Sequence, residues 1–168
     1  MTEAELEECI VRYHGTIYRL ALSYVKNSAE AEDICQSAFI KLWEQSTRQD
    51  APENPKAWLT TVTINLSKNI LRSVRFTRHT ELAENIPCSG GLTDEETELW
   101  QAVTKLPPKY RTVIHLYYYE EYSVKEIADI IGASETVVTT RLYRAREKLK
   151  KQLLREGNFD EKGIQRNV

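Results

Sequence analysis

The sequence is poor in the residues that build most enzyme and cofactor sites. Its 168 residues include only three cysteines, three histidines and six glycines. The cysteines lie far apart and are odd in number, which disfavours a zinc site and a disulfide framework. It has no glycine-rich phosphate loop of the GxGxxG or GxxxxGK[ST] type, and no nucleophile stands at a useful spacing from a base. We therefore expect no metal, no cofactor and no enzymatic activity.

Long apolar runs are also missing. None approaches the roughly 20 residues that a bilayer-spanning helix needs. The acidic start, Met1–Glu5, lacks the basic and then apolar order of a signal peptide. With 41% hydrophobic and 29% charged residues, the composition is typical of a soluble globular protein. The sequence predicts a cytoplasmic protein of one domain or two small ones, without direct membrane insertion.

The net charge of −2 conceals a strong segregation of charge along the chain. Residues 56–80 contain five bases and no acid, whereas residues 81–100 contain six acids and no base. Residues 138–152 again contain six bases, against a single acid. Two basic blocks separated by an acidic block are suited to a polyanionic partner, which the overall charge does not indicate.

Apolar residues recur every three or four positions, which is the spacing of one helix face. Asn54-Pro55 predicts a helix start, because Asn caps helices and Pro suits the first helical position. Ser28 is the predicted N-cap of the helix before it, and polar residues 45–54 are interpreted as a loop. The pattern predicts a three-helix N-terminal unit whose apolar stripes fall in residues 10–24, 34–43 and 58–70.

The second half of the chain has the pattern of a helix-turn-helix. Residues 86–91 are the strongest helix-breaking stretch, and we place an inter-domain linker there. Ser123 and Glu126 form a predicted capping box, Gly132 suits a left-handed turn, and Ser134 can cap the next helix. The periodicity predicts that four residues of this last helix face the core: Val138, Leu142, Ala145 and Leu149.

Two conspicuous groups are expected to be structural. Tyr117, Tyr118 and Tyr119 span almost one helical turn, so only one or two of them are expected to be buried. Cys35 lies on an apolar stripe and is predicted to belong to the core.

Four motifs in order resemble bacterial RNA polymerase sigma factors of the sigma-70 family, extracytoplasmic-function type. They cover about residues 8–152, and their order is far more specific than any one of them. Three positions depart from the common family pattern, which often has Asp at residue 69, Thr at residue 137 and Lys at residue 139. The four stretches are Ala31–Trp43, Pro55–Leu59, Leu106–Arg111, and the helix-turn-helix from Glu126 to Leu149.

The resemblance implies an all-α fold of two small helical domains joined by a flexible linker. It implies a factor that binds core RNA polymerase and directs promoter-specific initiation, including −10 melting and −35 recognition, under the control of a separate anti-sigma protein. The DNA partners would be the −35 duplex and the single-stranded −10 non-template strand. The expected domains are a region 2-like domain at 1–76, a linker at 77–92, a region 4-like domain at 93–155 and a polar tail at 156–168.

The resemblance also implies three groups of site residues. Asp33 and Gln36 lie three residues apart on one helix face, which docks on the polymerase in the family together with Phe39 and Ile40. The −10 element would be contacted by Arg48, Asn54, Lys56, Asn65, Lys68, Arg72 and Arg75. The −35 element would be contacted, within residues 123–149, by Ser134, Glu135, Thr136, Thr139, Thr140, Arg141, Tyr143 and Arg144.

Other interpretations remain open at the level of sequence. The chain could be a helix-turn-helix regulator that binds duplex DNA alone, although such a regulator needs no polymerase-docking face or single-strand reader in residues 25–75. Trp58 fits either the core or a surface on which a base stacks. The basic residues of 56–80 fit either phosphate binding or an ordinary solvated helix face.

Overall fold

The computed structural model describes residues 1–48, 51–76 and 94–155, and of residues 74–76 and 94–98 the backbone alone. Every described element is helical, which confirms the predicted fold class. The chain divides into two compact units, Met1–Pro87 and Cys88–Val168. The proposed linker at 77–92 and tail at 156–168 fall outside the described residues.

The first unit is a bundle in which each of three helices packs against the other two. The helices are α1, Glu3–Val25; α2, Ser28–Arg48; and α3, Pro55–Phe76. Burial raises the pKa of the Cys35 thiol to about 12, with a smaller contribution from the Glu32 carboxylate. Cys35 is therefore a neutral core residue, as the sequence predicts. The bundle's central cluster consists of Ile17, Cys35, Ala38, Phe39, Leu42 and Leu59.

The starts of α1 and α2 are capped by Thr2 and Asn27, which the sequence pattern did not indicate. Thr2 caps α1 in a reciprocal box, in which the Thr2 side chain accepts from the Glu5 amide and the Thr2 amide donates to the Glu5 carboxylate. Ser28 was the wrong N-cap for α2. Asn27 takes that role, because its Oδ1 accepts from the Glu30 amide at 3.0 Å while Ser28 is already helical.

The junction between α2 and α3 is shorter than the sequence predicts. The interpretation of residues 45–48 as a loop was wrong, because α2 continues to Arg48. Ser46 donates its hydroxyl to the Leu42 carbonyl at 2.7 Å, so this polar residue is satisfied within the helix. The Asn54 cap is confirmed: its Oδ1 accepts from the Ala57 amide at 3.0 Å.

Among the described residues of the second unit, the last helix packs against three other α-helices. These helices are α4, Asp94–Lys105; α5, Pro108–Ile114; α6, Val124–Ile131; and α7, Glu135–Arg155. The predicted inward residues of α7 are confirmed, and the buried stripe extends one turn further: Val138, Leu142, Ala145, Leu149 and Leu153.

A π-helical turn, His115–Tyr119, follows α5 directly. The expectation that one or two of the three tyrosines are buried was wrong, since each is between 36% and 40% exposed. His115 and Leu116 take the inward positions instead, because the wider turn changes which residues face the core. His115 stacks on the Tyr119 ring, and its Nε2 lies 3.7 Å from the Glu120 carboxylate.

The local signals of the helix-turn-helix are confirmed. Ser123 and Glu126 form the capping box of α6. Gly132 ends that helix with φ of 64°, in the left-handed region. Ser134 Oγ then accepts from the Val137 amide at 3.3 Å and starts α7. These contacts set the angle at which α7 leaves the turn.

Replacing Gly132 tests this turn. A Cβ at Gly132 would meet no atom within 4 Å, so the effect of Gly132→Ala comes from the backbone alone. We expect it to lower the free energy of unfolding by about 1 kcal/mol, because Ala resists a positive φ. Gly132→Asn should lower it less, since Asn tolerates this conformation better. Thermal unfolding followed by circular dichroism measures both.

The matched control is Gly15→Ala in the interior of α1. There the new methyl group meets only the end of the flexible Arg19 side chain, and we expect a gain of roughly 0.5–1 kcal/mol. Equal effects of the two alanine substitutions would contradict the role of Gly132.

Candidate docking and nucleic-acid interfaces

One face of α2 combines polar and apolar side chains in the way that protein interfaces do. Asp33, Gln36 and Ile40 are all exposed. They stand at steps of three and four, so they lie along the same side of the helix. Ile40 is 59% exposed and gives this face an apolar part. This face can bind a partner by covering Ile40 and pairing with the two polar groups.

Phe39 does not belong to this face. It is only 6% exposed and packs in the central cluster of the bundle. Its position follows from the helical period, since it is four residues beyond the buried Cys35 and three before the buried Leu42. Phe39 therefore belongs to the core that holds α2 in the bundle, and the exposed candidate docking face consists of Asp33, Gln36 and Ile40.

The outer face of α3 is cationic. Asn65, Lys68 and Arg72 are exposed and share one side of the helix. The opposite side, which includes Leu59, Thr63 and Ser67, is buried. Arg75 continues the same spacing, but its side chain lies outside the described part. Since α3 contains four bases and no acid, no carboxylate of this helix offsets the positive charge.

Three further candidates for the −10 contact, Arg48, Asn54 and Lys56, lie where α2 ends and α3 begins. Arg48 is exposed at the last turn of α2, and Lys56 is half-buried in the first turn of α3. The positive end of the helix dipole adds to the charge of Lys56. Asn54 is exposed, and its Oδ1 serves as the helix cap, so its NH₂ group is the part left to contact a base. Trp58 packs against the core, which favours the first of its two interpretations.

The outer side of α7 carries the remaining candidates. Seven of the eight are exposed, and Arg141 is half-buried. Thr139 and Thr140 donate their hydroxyls to the carbonyls of Glu135 and Thr136, at 2.9 and 2.8 Å. Their oxygen lone pairs and methyl groups are therefore what they offer to a partner. Tyr143 is 64% exposed and adds a large aromatic surface.

Sequence reasoning missed a groove that lies between α5 and α7. Its volume is about 260 Å³, and Lys109 and Tyr110 of α5 form one wall. The ammonium groups of Lys109 and Lys148 lie 5.0 and 5.9 Å from the centre of the Tyr110 ring. The other wall belongs to α7 and consists of Thr136, Val137, Thr140, Arg141 and Arg144.

These neighbours shift the pKa of the Tyr110 hydroxyl. Burial raises its pKa, but the hydrogen bond from Arg144 and the charge of Lys109 outweigh burial, so the pKa lies below its ordinary value. No local sequence signal pointed to this contact, because 34 positions separate residues 110 and 144.

Among the side chains that the structure describes, those of residues 1–48, 51–73 and 99–155, no three His, Cys, Asp or Glu residues form a cluster able to hold a metal ion. None of the helices in the described part of the chain combines the length and apolar character that a bilayer-spanning helix needs.

Comparison with known proteins covers both units. Residues 9–77 match the family described as Sigma-70 region 2, and residues 96–149 match Sigma-70, region 4. The RNA polymerase sigma factor SigV of Bacillus subtilis is 34% identical over 157 residues, which is 92% of this chain and 95% of SigV. The ECF RNA polymerase sigma factor SigW of the same organism is 33% identical over 158 residues, 84% of each chain.

Two solved structures share the fold. The sigma factor RpoE of Bartonella quintana, solved with the anti-sigma factor NepR, matches with a TM-score of 0.73 and 22% identity, over 89% of this chain and 96% of RpoE. CnrH, solved with the cytosolic domain of CnrY, matches with a TM-score of 0.69 and 21% identity, over 94% of this chain and 92% of CnrH.

Proposed function

Because this chain belongs to the extracytoplasmic-function group of sigma-70 RNA polymerase sigma factors, we propose that its exposed faces divide the work of initiation among three partners. Sigma factors direct transcription initiation and are not enzymes. The exposed face of α2 docks on core RNA polymerase, α3 holds the −10 strand, and α7 reads the −35 duplex. The observation that carries this proposal is that all three helices bury one stripe and expose a chemically distinct one.

The proposed polymerase contact uses Asp33, Gln36 and Ile40. Desolvation of an aliphatic side chain that is 59% exposed favours association, whereas the two polar groups select the correct partner. Neither Asp33 nor Gln36 is buried in the bundle, so both are accessible without a change in the fold.

The proposed −10 contact rests on the charge of α3. Lys68 and Arg72 are exposed on one side of a helix without acids, which suits the phosphates of a single strand. Asn54 and Arg48, at the α2–α3 junction, provide polar groups for base edges. A surface that binds the non-template strand only when it is unpaired shifts the equilibrium toward melted DNA. Since Trp58 packs against the core, we do not assign base stacking to it.

The proposed −35 contact places α7 in the major groove, as in other helix-turn-helix proteins. Glu135, Thr136, Thr139, Thr140 and Tyr143 lie on the exposed side and are the candidates for base edges. Arg141 and Arg144 flank them and are suited to phosphates, which position the helix rather than specify the sequence.

We also propose the finer organisation of the chain and its control. Region 2 would occupy residues 1–76 and region 4 residues 93–155, joined by the linker at 77–92 and followed by the polar tail. The protein would act in the cytoplasm, where the polymerase is, and a separate anti-sigma protein would inhibit it. What supports inhibition is that RpoE of Bartonella quintana, which shares the fold, was solved with an anti-sigma factor.

A pull-down with core RNA polymerase, followed by run-off transcription on a library of genomic fragments, tests the proposed function. We expect stable association and transcripts from a small subset of fragments, which then identify the promoter. Sequence-specific duplex binding without any association with polymerase would contradict the proposal and favour a regulator that acts alone.

The docking face is tested by Asp33→Ala combined with Gln36→Ala. We expect weaker binding to core polymerase by roughly tenfold or more, as for the removal of polar groups at the centre of an interface. Folding should be nearly unchanged, because both side chains are exposed. Affinity is measured by titration of labelled chain with core enzyme. The control, Glu7→Ala with Gln101→Ala, removes the same groups from exposed positions elsewhere; equal losses in the two pairs would refute the assignment.

The two DNA contacts are tested by reciprocal variants in the holoenzyme. Arg144→Ala should weaken binding to the −35 duplex for all sequences and reduce the slope of log K against log salt by about one unit. Lys68→Ala with Arg72→Ala should instead weaken capture of a single-stranded −10 oligonucleotide. Filter binding over a range of salt concentrations measures both. If each variant affected both DNA probes equally, the division between α3 and α7 would be wrong.

A further inference from the structure

The first unit carries an exposed apolar side chain on each of its first two helices. Among the described residues of this unit, two large hydrophobic side chains are exposed: Val11 of α1 at 86% and Ile40 of α2 at 59%. A partner that covers such a side chain gains the free energy of its desolvation. Ile40 belongs to the proposed docking face of α2, whereas none of the proposed contacts uses Val11.

His14 connects α1 to α2 close to this docking face. Its Nε2 lies 3.3 Å from the Glu32 carboxylate of α2. Because an ionised carboxylate only accepts hydrogen bonds, the imidazole N–H is the donor. The Tyr18 ring stacks on the imidazole with 6.1 Å between the ring centroids. His14 is therefore held by both neighbours while it holds Glu32.

Helical spacing joins these residues to the docking face. Val11 precedes His14 by three positions, so the two lie along one side of α1. Glu32 precedes Gln36 by four positions, so its carboxylate borders the polar part of the docking face on α2. The hydrogen bond between His14 and Glu32 bridges the two helices at this level. The result is an extended face that consists of Val11, His14, Glu32, Asp33, Gln36 and Ile40.

The charge of the extended face indicates the chemistry of its partner. It contains two carboxylates, those of Glu32 and Asp33, and no lysine or arginine. The exposed side of α3 in the same unit contains Lys68 and Arg72 instead, so a nucleic acid is attracted to α3 rather than to this face. Carboxylates beside exposed aliphatic side chains suit a protein element in which lysine or arginine flanks apolar residues.

We propose that α1 forms the second half of the polymerase-docking surface. Val11 is its second apolar contact, and His14 is a positioning residue that holds the Glu32 carboxylate for a cationic element of core polymerase. The inference rests on the proposed docking role of α2. Because the His14 and Glu32 side chains are 44% and 41% exposed, their contact adds little to folding stability, and its effect is on the interface.

Titration of labelled chain with core polymerase tests the apolar contact. Val11→Ala should weaken binding roughly 3- to 15-fold, because two fewer carbon atoms are desolvated on association. Its thermal unfolding should be nearly unchanged, since Val11 is exposed. The matched control, Leu154→Ala, shortens an aliphatic side chain that is exposed outside the face, at 39%. Equal affinities of the two variants would remove Val11 from the interface.

Stopped-flow binding over a series of salt concentrations tests the charge and its positioning. Glu32→Gln should lower the association rate constant and its salt dependence, since charges at an interface steer the encounter. Glu53→Gln removes the same charge from an exposed position outside the face and should change neither. His14→Ala should have a smaller effect of the same kind, and none in a Glu32→Gln background, because no charge is then left to position. An equal loss in both backgrounds would contradict the positioning role.

The combined Asp33→Ala and Gln36→Ala variant separates this inference from the proposed function. If it weakens binding while Val11→Ala and Glu32→Gln match their controls, docking is confined to α2 and the inference is wrong. If none of these variants affects binding, the docking role of α2 is wrong as well. Sedimentation of the free chain tests a different partner: a dimer that Val11→Ala dissociates, with unchanged affinity for polymerase, would assign the face to a second copy and overturn the inference.

Discussion

The buried stripe of α7 determines what the second unit can present to a partner. Leu142, Ala145 and Leu149 are at most 3% exposed and pack against the other helices of the unit. Once these residues face inward, the helical period places Thr136, Thr140 and Tyr143 outward. The same stripe brings Arg144 beside Tyr110 of α5. The surface proposed to read the −35 element and the cationic groove both follow from the packing of this one buried stripe.

The features that depend on residues close together in the chain were the ones that the sequence predicted best. The capping box of Ser123, the left-handed Gly132 and the inward stripe of α7 each involve positions within a few residues, and all are confirmed. Competition between nearby caps was harder to predict. Ser28 and Asn27 are both good capping residues, and only the geometry shows that the Asn27 oxygen reaches the Glu30 amide.

Features that depend on distant packing were not predictable from the sequence. Phe39 belongs to a motif that resembles a docking helix, but its burial among residues of α1 and α3 makes it part of the core. The tyrosines at 117–119 are exposed because a π-helical turn replaces the α-helix expected there. The contact between Tyr110 and Arg144 joins two helices and leaves no periodic pattern in the sequence.

The hydroxyl groups of Thr139 and Thr140 reduce the side-chain entropy that α7 has to lose on binding a partner. Thr139 and Thr140 are tethered to their own helix by hydrogen bonds to the carbonyls of Glu135 and Thr136, so their rotamers are set before any partner arrives. Long, mobile side chains lose up to about 2 kcal/mol of rotamer freedom when they are immobilised, whereas these short ones have little left to lose. A surface prepared in this way is stiff. In the proposed complex with the −35 duplex, the DNA has to adapt to the helix. Sequences that deform easily into the required shape would then bind more tightly, even at positions that no side chain contacts.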